Sequence, residues 1–362
     1  MKLLIITQSV DKNDQNLGAF YRWWEKMAEK VESMTIICSR KGEVDLPPHV
    51  MVESLGKERG VGKMRRIWKF WELFSWHYAR SDAVLFHQIP EFVVAASPFL
   101  ISLKKRTVLW YAHKSVSPAL TIAERLVDWV ATSSPEGFRM RSKKVVYTGQ
   151  AIDTEFFTPR GNPKQEAGII RFITIGRISP VKNYELIIEA CAIGKRTWPW
   201  QWHLTVVGGP LTDTDRAYEK KIKDMVVSRG LSSHIEFVGP RPYRGIPDLL
   251  RAQDVFVNMS ATGSLDKAVL EAMSCGLSVI TSNEAYREIL PERYFLRNNT
   301  SAEELSRRME VIAGDPRPVS TLREIVVNKH GLDSTIEKIM GCFTIPMSRS
   351  SATSSPSHVR CP

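Results

Sequence analysis

Short apolar runs recur along this chain, and between them the apolar positions return every three or four residues. KLLIIT from residue 2, MTIICS from 34, AVLFHQ from 83, TVLWYAH from 107, WVATSS from 129 and KVVYTG from 144 have the length and β-branched content of buried strands. FYRWWEKMAEK and PALTIAERLVDW, lying between them, have helical spacing. After the polar stretch TPRGNPKQEAG the alternation restarts with RFITIG, HLTVVGG, IEFVG, VFVNMS and SVITS. Two rounds of strand and helix predict an α/β protein of two doubly wound domains, residues 1–160 and 161–330, joined through a linker at 158–168. Ligands of such sheets bind beyond the carboxyl ends of the parallel strands, so the expected site is the cleft that the domains share. A last helix is expected over 331–343, and the Ser- and Pro-rich stretch 344–362 is expected to be disordered.

Composition narrows the class without choosing a function. A chain of 362 residues, 43% hydrophobic and 25% charged, suits two soluble domains of ordinary size. The apolar runs fall short of a bilayer span, and the opening MKLLIITQSVDKND predicts no signal peptide. Five scattered cysteines, in no metal or redox spacing, fit a reducing, cytoplasmic setting. Fifty basic side chains against 39 acidic ones give a net charge of +11, which favours phosphates of some kind: nucleotide, nucleic acid or lipid headgroup. No nucleic-acid-reading motif accompanies that charge.

Two stretches carry candidate chemistry. In TGSLDKAVLEAMSCG, residues 262–276, a loop leaves a strand and becomes a helix, with Asp266 or Ser264 at its N-cap and Gly276 at its end. The free N–H groups around Lys267 and Ala268 and the positive end of the helix dipole suit a phosphate, and Lys267 adds a full charge. Glu271, roughly 6 Å further along the helix, is placed to accept ribose hydroxyls. In TIGRISPVKN, residues 174–183, a strand runs into a turn bearing Arg177 and Lys182, which could flank a diphosphate from the opposite side.

Together these stretches resemble the donor domain of retaining nucleotide-sugar glycosyltransferases with the GT-B fold, the glycosyl transferases group 1 family. HIEFVGPRPYRGIPDLLRAQDVFVNMS resembles the family's base-pocket segment, which contains Arg241; VVGGP resembles its glycine strand end, with Gly208; and VVYTGQAIDTEFFTP resembles its hinge. The resemblance implies two Rossmann-like domains facing a cleft. It also implies a nucleoside diphosphate sugar bound by Arg177, Lys182 and Glu271, sugar transfer with retention to a hydroxyl of a glycan or lipid-linked acceptor, and no cofactor or metal. Many members carry a glutamate directed at the donor sugar eight residues before the ribose-binding one, and here that position is Gly263. Asp266 is a possible sugar contact, but it lies about 140° around a helix from Glu271 and cannot copy the missing group.

The first half is expected to complete the site. TQSVDKNDQNLGAFYRWWEK lacks G-x-G-x-x-G, which disfavours dinucleotide binding, while Gly18 resembles the family's glycine-bearing loop. His113, closing TVLWYAH, resembles the family's histidine near the donor sugar; His87, closing another strand, is assigned only acceptor-side potential. From 60 to 80, Lys63, Arg65, Arg66, Lys69 and Arg80 interleave with Ile67, Trp68, Phe70, Trp71, Phe74 and Trp76. Such a helix reads first as core packing and second as a docking face for an anionic membrane. Two rival functions stay open: a non-catalytic nucleotide-sugar- or membrane-binding protein, and a sugar-nucleotide epimerase.

Overall fold

The computed structural model describes residues 1–14, 17–159, 168–314 and 320–344. The first domain is a seven-stranded sheet: β1 Lys2–Val10, β2 Ser33–Lys41, β3 Val50–Ser54, β4 Ala83–His87, β5 Arg106–Trp110, β6 Trp129–Thr132 and β7 Val145–Tyr147. Its helices are α1 Tyr21–Ala28, α2 Lys63–Arg80, α3 Pro90–Ser102 and α4 Pro118–Leu126. The second sheet has five strands: β8 Ile169–Ile175, β9 Gln201–Val207, β10 Ile235–Gly239, β11 Val255–Asn258 and β12 Ser278–Thr281. Around it lie α5 Tyr184–Thr197, α6 Asp213–Ser228, α7 Ile246–Arg251, α8 Lys267–Ser274, α9 Ala302–Gly314 and α10 Ser320–His330, and α11 Leu332–Gly341 closes the described chain.

Every strand pair is parallel. The orders are β3-β2-β1-β4-β5-β6-β7 and β10-β9-β8-β11-β12, so each sheet reverses direction beside its first strand. Such reversals open a crevice at the strands' carboxyl ends, because successive crossover helices then lie on opposite faces. The loops after β1 and β4, and those after β8 and β11, are therefore the ones the topology aims at a ligand. These are the loop of Gly18, the loop that begins just beyond His87, and those of Arg177 to Lys182 and Thr262 to Asp266.

Leu4, Ile5, Val84, Leu85, Val108 and Leu109 are wholly buried, as strands covered on both faces require. Local chemistry fixes several helix starts: Ser117 Oγ accepts the Leu120 N–H at α4, and Thr212 with Asp215 forms a reciprocal capping box at α6. The last helix belongs to the first domain's core. Leu332, Ile336 and Ile339 join Trp24 and Met27 in one cluster, Thr335 donates to the Thr148 carbonyl at 2.9 Å, and Lys26 faces Asp333 at 3.4 Å.

Three expectations need amendment. β3 lies outside the strands expected from the sequence. The strand TVLWYAH ends at Trp110, so His113 stands in the following loop. The 60–80 helix is not simply core: Phe70, Phe74 and Tyr78 are buried, but Trp68 is 66% exposed and Trp76 59%. Apart from its ends, the linker at 158–168 lies outside the described residues, as does the tail beyond 344. Cys38, Cys191 and Cys275 are free and buried, and Cys342 is buried as well.

Candidate active site

The second domain's half of the site starts where β8 ends. Gly208, leaving β9 at φ +131°, stands where a Cβ would lie 1.9 Å from the Gly176 carbonyl. Its absent side chain thus lets two strand ends close on each other. Arg177 follows, half-exposed, with Nε 3.8 Å from an Asp215 carboxylate oxygen. Lys182 closes a single 3-10 turn, Pro180–Lys182, and points inward. Its ammonium donates to both carboxylate oxygens of Asp266, at 2.8 and 2.6 Å.

Asp266 takes the N-cap position of α8, but its side chain caps nothing in that helix. It faces Lys182 instead and also accepts from the Asn258 amide at 3.1 Å, while its own carbonyl accepts from the Tyr286 hydroxyl at 2.6 Å. Burial pushes the Asp266 pKa up, yet Lys182 and the hydrogen bonds outweigh that and hold it below the usual aspartate range. The start of α8 is thereby left without a side-chain cap.

One turn on, Glu271 is buried and accepts from the Tyr243 hydroxyl at 3.0 Å. Desolvation raises its pKa, and the nearby Lys267 charge opposes that rise. Lys267 departs from its expected place. Its ammonium sits 3.6 Å over the Phe20 ring and 5.4 Å from that of Trp23, enclosed and without a hydrogen-bond acceptor among the described residues. Burial lowers its pKa. The cation therefore ties the start of α8 to Phe20 and Trp23 of the first domain by a cation–π contact, where the sequence had it standing free at the helix end.

From the first domain, Gly18 opens the turn into α1. A Cβ there would meet Tyr243 Cβ at 3.3 Å, so this glycine allows the loop after β1 to close on the loop after β10. His113 is exposed, and its Nδ1 accepts the Ser115 N–H at 3.1 Å. Its neighbour Lys114 reaches across to the Ala261 carbonyl at 3.1 Å, which brings the loop after β5 against the loop after β11. His87 is different. It lies among Phe20, Trp23, Trp24 and Trp110, paired with the Thr7 hydroxyl at 3.0 Å, and burial drives its pKa well down. A ring so enclosed is core, not an acceptor-side group.

The structure thus gathers Lys182, Asp266, Lys267, Ala268 and Glu271 at one seam with Gly18. Arg177 and Gly208 stand at the adjoining strand ends. His113 lies on the facing wall, and Arg241 is an exposed residue of the loop after β10. Sequence reasoning missed Tyr243 as the partner of Glu271 and missed the pair Arg139–Glu284, whose nitrogen and oxygen stand 2.5 Å apart across the two domains. The hydroxyl in PRPYRG was a signal for the first. Nothing local announced the second.

Comparison with solved structures decides the architecture. Anabaena HepE in complex with UDP superposes with a TM-score of 0.75 at 17% identity, covering 95% of this chain and 100% of that one. The fold is GT-B. Sucrose-phosphate synthase from Thermosynechococcus elongatus shares this GT-B arrangement, with a TM-score of 0.75 at 16% identity, covering 95% of this chain and 98% of the other. Residues 159–327, just under half of the chain, match the family model Glycosyl transferases group 1. A phosphatidylinositol N-acetylglucosaminyltransferase subunit of Arabidopsis thaliana is 27% identical over 186 residues, half of this chain. That match covers 40% of the plant protein, and the chain spans about two fifths of the length of the curated relatives it matches.

Proposed function

We propose that this GT-B protein is a glycosyltransferase that binds a nucleoside diphosphate sugar in the seam between its domains and moves the sugar, with retention of configuration, to a hydroxyl acceptor. One observation carries the reading: Lys182 and the uncapped start of α8 lie at the switch point of the second sheet, with Glu271 one turn further on and Gly18 of the first sheet's switch point opposite. A departing diphosphate needs positive charge, and Arg177, Lys182 and the α8 N–H groups supply it without a metal or cofactor. The UDP complex of HepE supports a uridine or related nucleotide.

The acceptor we propose is a glycan or a lipid-linked sugar held at the cytoplasmic face of an anionic membrane. The outer face of α2 supports this, because Trp68 and Trp76 project there among Arg65, Lys69 and Arg80, with Lys63 at the helix start. Rings at headgroup depth with cations beside them suit a bilayer interface. Among the described residues, no helix is long and apolar enough to cross a membrane.

A second reading, a nucleotide-sugar-binding protein without transferase activity, is favoured by the Lys182–Asp266 pair, which neutralises the cation a diphosphate would meet. Calorimetry with UDP, GDP and their common sugar conjugates, followed by product analysis with lipid-linked acceptors, separates the two. Binding with turnover supports the transferase, binding alone supports the rival, and no binding ends both.

A further inference from the structure

Position 263 is glycine for a geometric reason. Its φ is +64°, and a Cβ there would lie 2.6 Å from Glu284 Oε1, 2.9 Å from Arg139 Nη2 and 3.4 Å from Lys114 Cδ. The space in front of Gly263 is therefore held by the carboxylate of another residue. Glu284 opens a 3-10 turn, Glu284–Tyr286, just after β12. Because β12 pairs with β11 so that Thr281 lies beside Asn258, both strands deliver their loops to the same edge of the sheet.

The backbone beneath Glu284 is tied to the Thr262–Ser264 loop. The Asn283 amide donates to the Ser264 carbonyl at 2.7 Å and to Thr262 Oγ1 at 3.2 Å, and its oxygen accepts the Ala285 N–H at 3.2 Å. Arg139, from the first domain, donates to Glu284 Oε1 at 2.5 Å and to the Gly263 carbonyl at 3.4 Å. Oε2 accepts no hydrogen bond from the described residues, and the side chain is 42% exposed. Lys114, beside His113, closes the same wall. A carboxylate with one oxygen anchored and the other open, on a pinned turn at the seam, suits the hydroxyl groups of a sugar.

We propose that Glu284 supplies the sugar-facing carboxylate that position 263 lacks, and that it sets the protein's preference for a nucleotide sugar over the bare nucleotide. This rests on the nucleotide-sugar reading above. The rival account of the pair is a strut between domains, with no sugar contact.

The test compares the wild type with Glu284→Gln and Arg139→Ala by calorimetry, using UDP, GDP, UDP-glucose, UDP-N-acetylglucosamine and GDP-mannose, with thermal melts to confirm folding. We expect Glu284→Gln to leave nucleoside diphosphate affinity unchanged and to lose tenfold or more of the gain that the sugar brings. A strut would instead weaken nucleotide and nucleotide sugar alike, and equally in both variants. A wild type that binds none of the five ligands overturns the nucleotide-sugar reading and this inference with it. A wild type that gains nothing from the sugar, or a Glu284→Gln variant that keeps the gain, overturns this inference alone.

Discussion

Lys182 and Asp266 form a two-oxygen ion pair at the start of α8, with the ammonium 2.6 Å from one carboxylate oxygen and 2.8 Å from the other. The pair occupies the place where the proposed donor diphosphate would lie, so on that reading the carboxylate and the diphosphate compete for one cation. Such a carboxylate keeps an inward-facing lysine from standing as an uncompensated charge. A phosphate can take over that role.

Asp266→Asn should therefore lower the melting temperature of the free protein while enlarging the shift produced by saturating UDP. The bound nucleotide would return the partner that the substitution removed, and binding to the folded state stabilises by mass action. Lys182→Ala should weaken UDP tenfold or more with a smaller change in the free melt. Thermal melts with and without UDP check both, and a smaller UDP shift in Asp266→Asn would show that the carboxylate supports binding.

Glu271 makes a separable prediction. A hydrogen bond to a charged acceptor contributes about 1.5 to 3 kcal/mol, which is a factor of roughly 10 to 150 in affinity. Glu271→Gln should lose about that much for UDP and less for 2′-deoxy-UDP, so the gap between the two nucleotides narrows. Tyr243→Phe, which removes only the hydroxyl bonded to Glu271, should narrow it less. Titration calorimetry with both nucleotides reads the gap, and equal losses would make the side chain structural.

Two buried histidines predict acid sensitivity. Burial drives the His87 pKa well below its ordinary value near 6.5, with the Lys267 charge adding to the effect. Burial lowers that of His330 to about 4, helped by Lys338 and Lys329. A histidine with a lowered folded pKa is neutral in the fold and binds a proton more readily when unfolded. Its contribution is present above 6.5 and is lost as the pH falls toward the folded value, with a slope of about 1.36 kcal/mol per pH unit for each group. Urea midpoints should accordingly drop between pH 6.5 and 4.5, and His330→Asn should flatten the drop in a variant that folds.

How legible all this was depended on where the information resides. Parallel strands are buried on both faces, so β1, β4, β5 and β11 read as apolar runs. β3 escaped because an edge strand needs less burial, and Val50–Ser54 carries the exposed Met51 and the half-buried Glu53. That Arg177 and Lys182 stand in a strand-end loop and Glu271 in the helix after β11 was legible, because strand ends and helix starts have local signatures. The direction of Lys267 was not, since Phe20 and Trp23, which hold its ammonium, come from the far end of the chain. His87 looked like a strand-end candidate, but whether a strand end opens to the cleft or onto Trp23 and Trp110 is settled only by the packing of α1. Glu284 had no signature at all, because its proximity to Gly263 follows from the pairing of β12 with β11.

The last prediction concerns the outer face of α2. Phe70, Phe74 and Tyr78 bind the helix to the core, which leaves Trp68 and Trp76 with no core-packing role on this surface. Trp76 carries the Arg80 guanidinium 3.4 Å over its ring, and Trp68 meets Trp71 edge-on at 5.5 Å. Each basic residue near an anionic bilayer contributes about 1 kcal/mol, so neutralising Lys63, Arg65 and Lys69 together should reduce binding to phosphatidylserine-containing liposomes by roughly two orders of magnitude at low salt. The wild type should likewise lose binding as salt rises, through screening. Trp68→Ala and Trp76→Ala should remove a salt-resistant part of the binding with little change in the melt. Trp71→Ala should destabilise as well, since its indole N–H donates to the Ala95 carbonyl at 2.9 Å and ties α2 to α3. Liposome sedimentation over a salt series, run beside thermal melts of the same variants, reads both quantities. Binding that ignores both salt and the three neutralised cations, or no binding, would sink the membrane reading and leave these tryptophans to a protein partner.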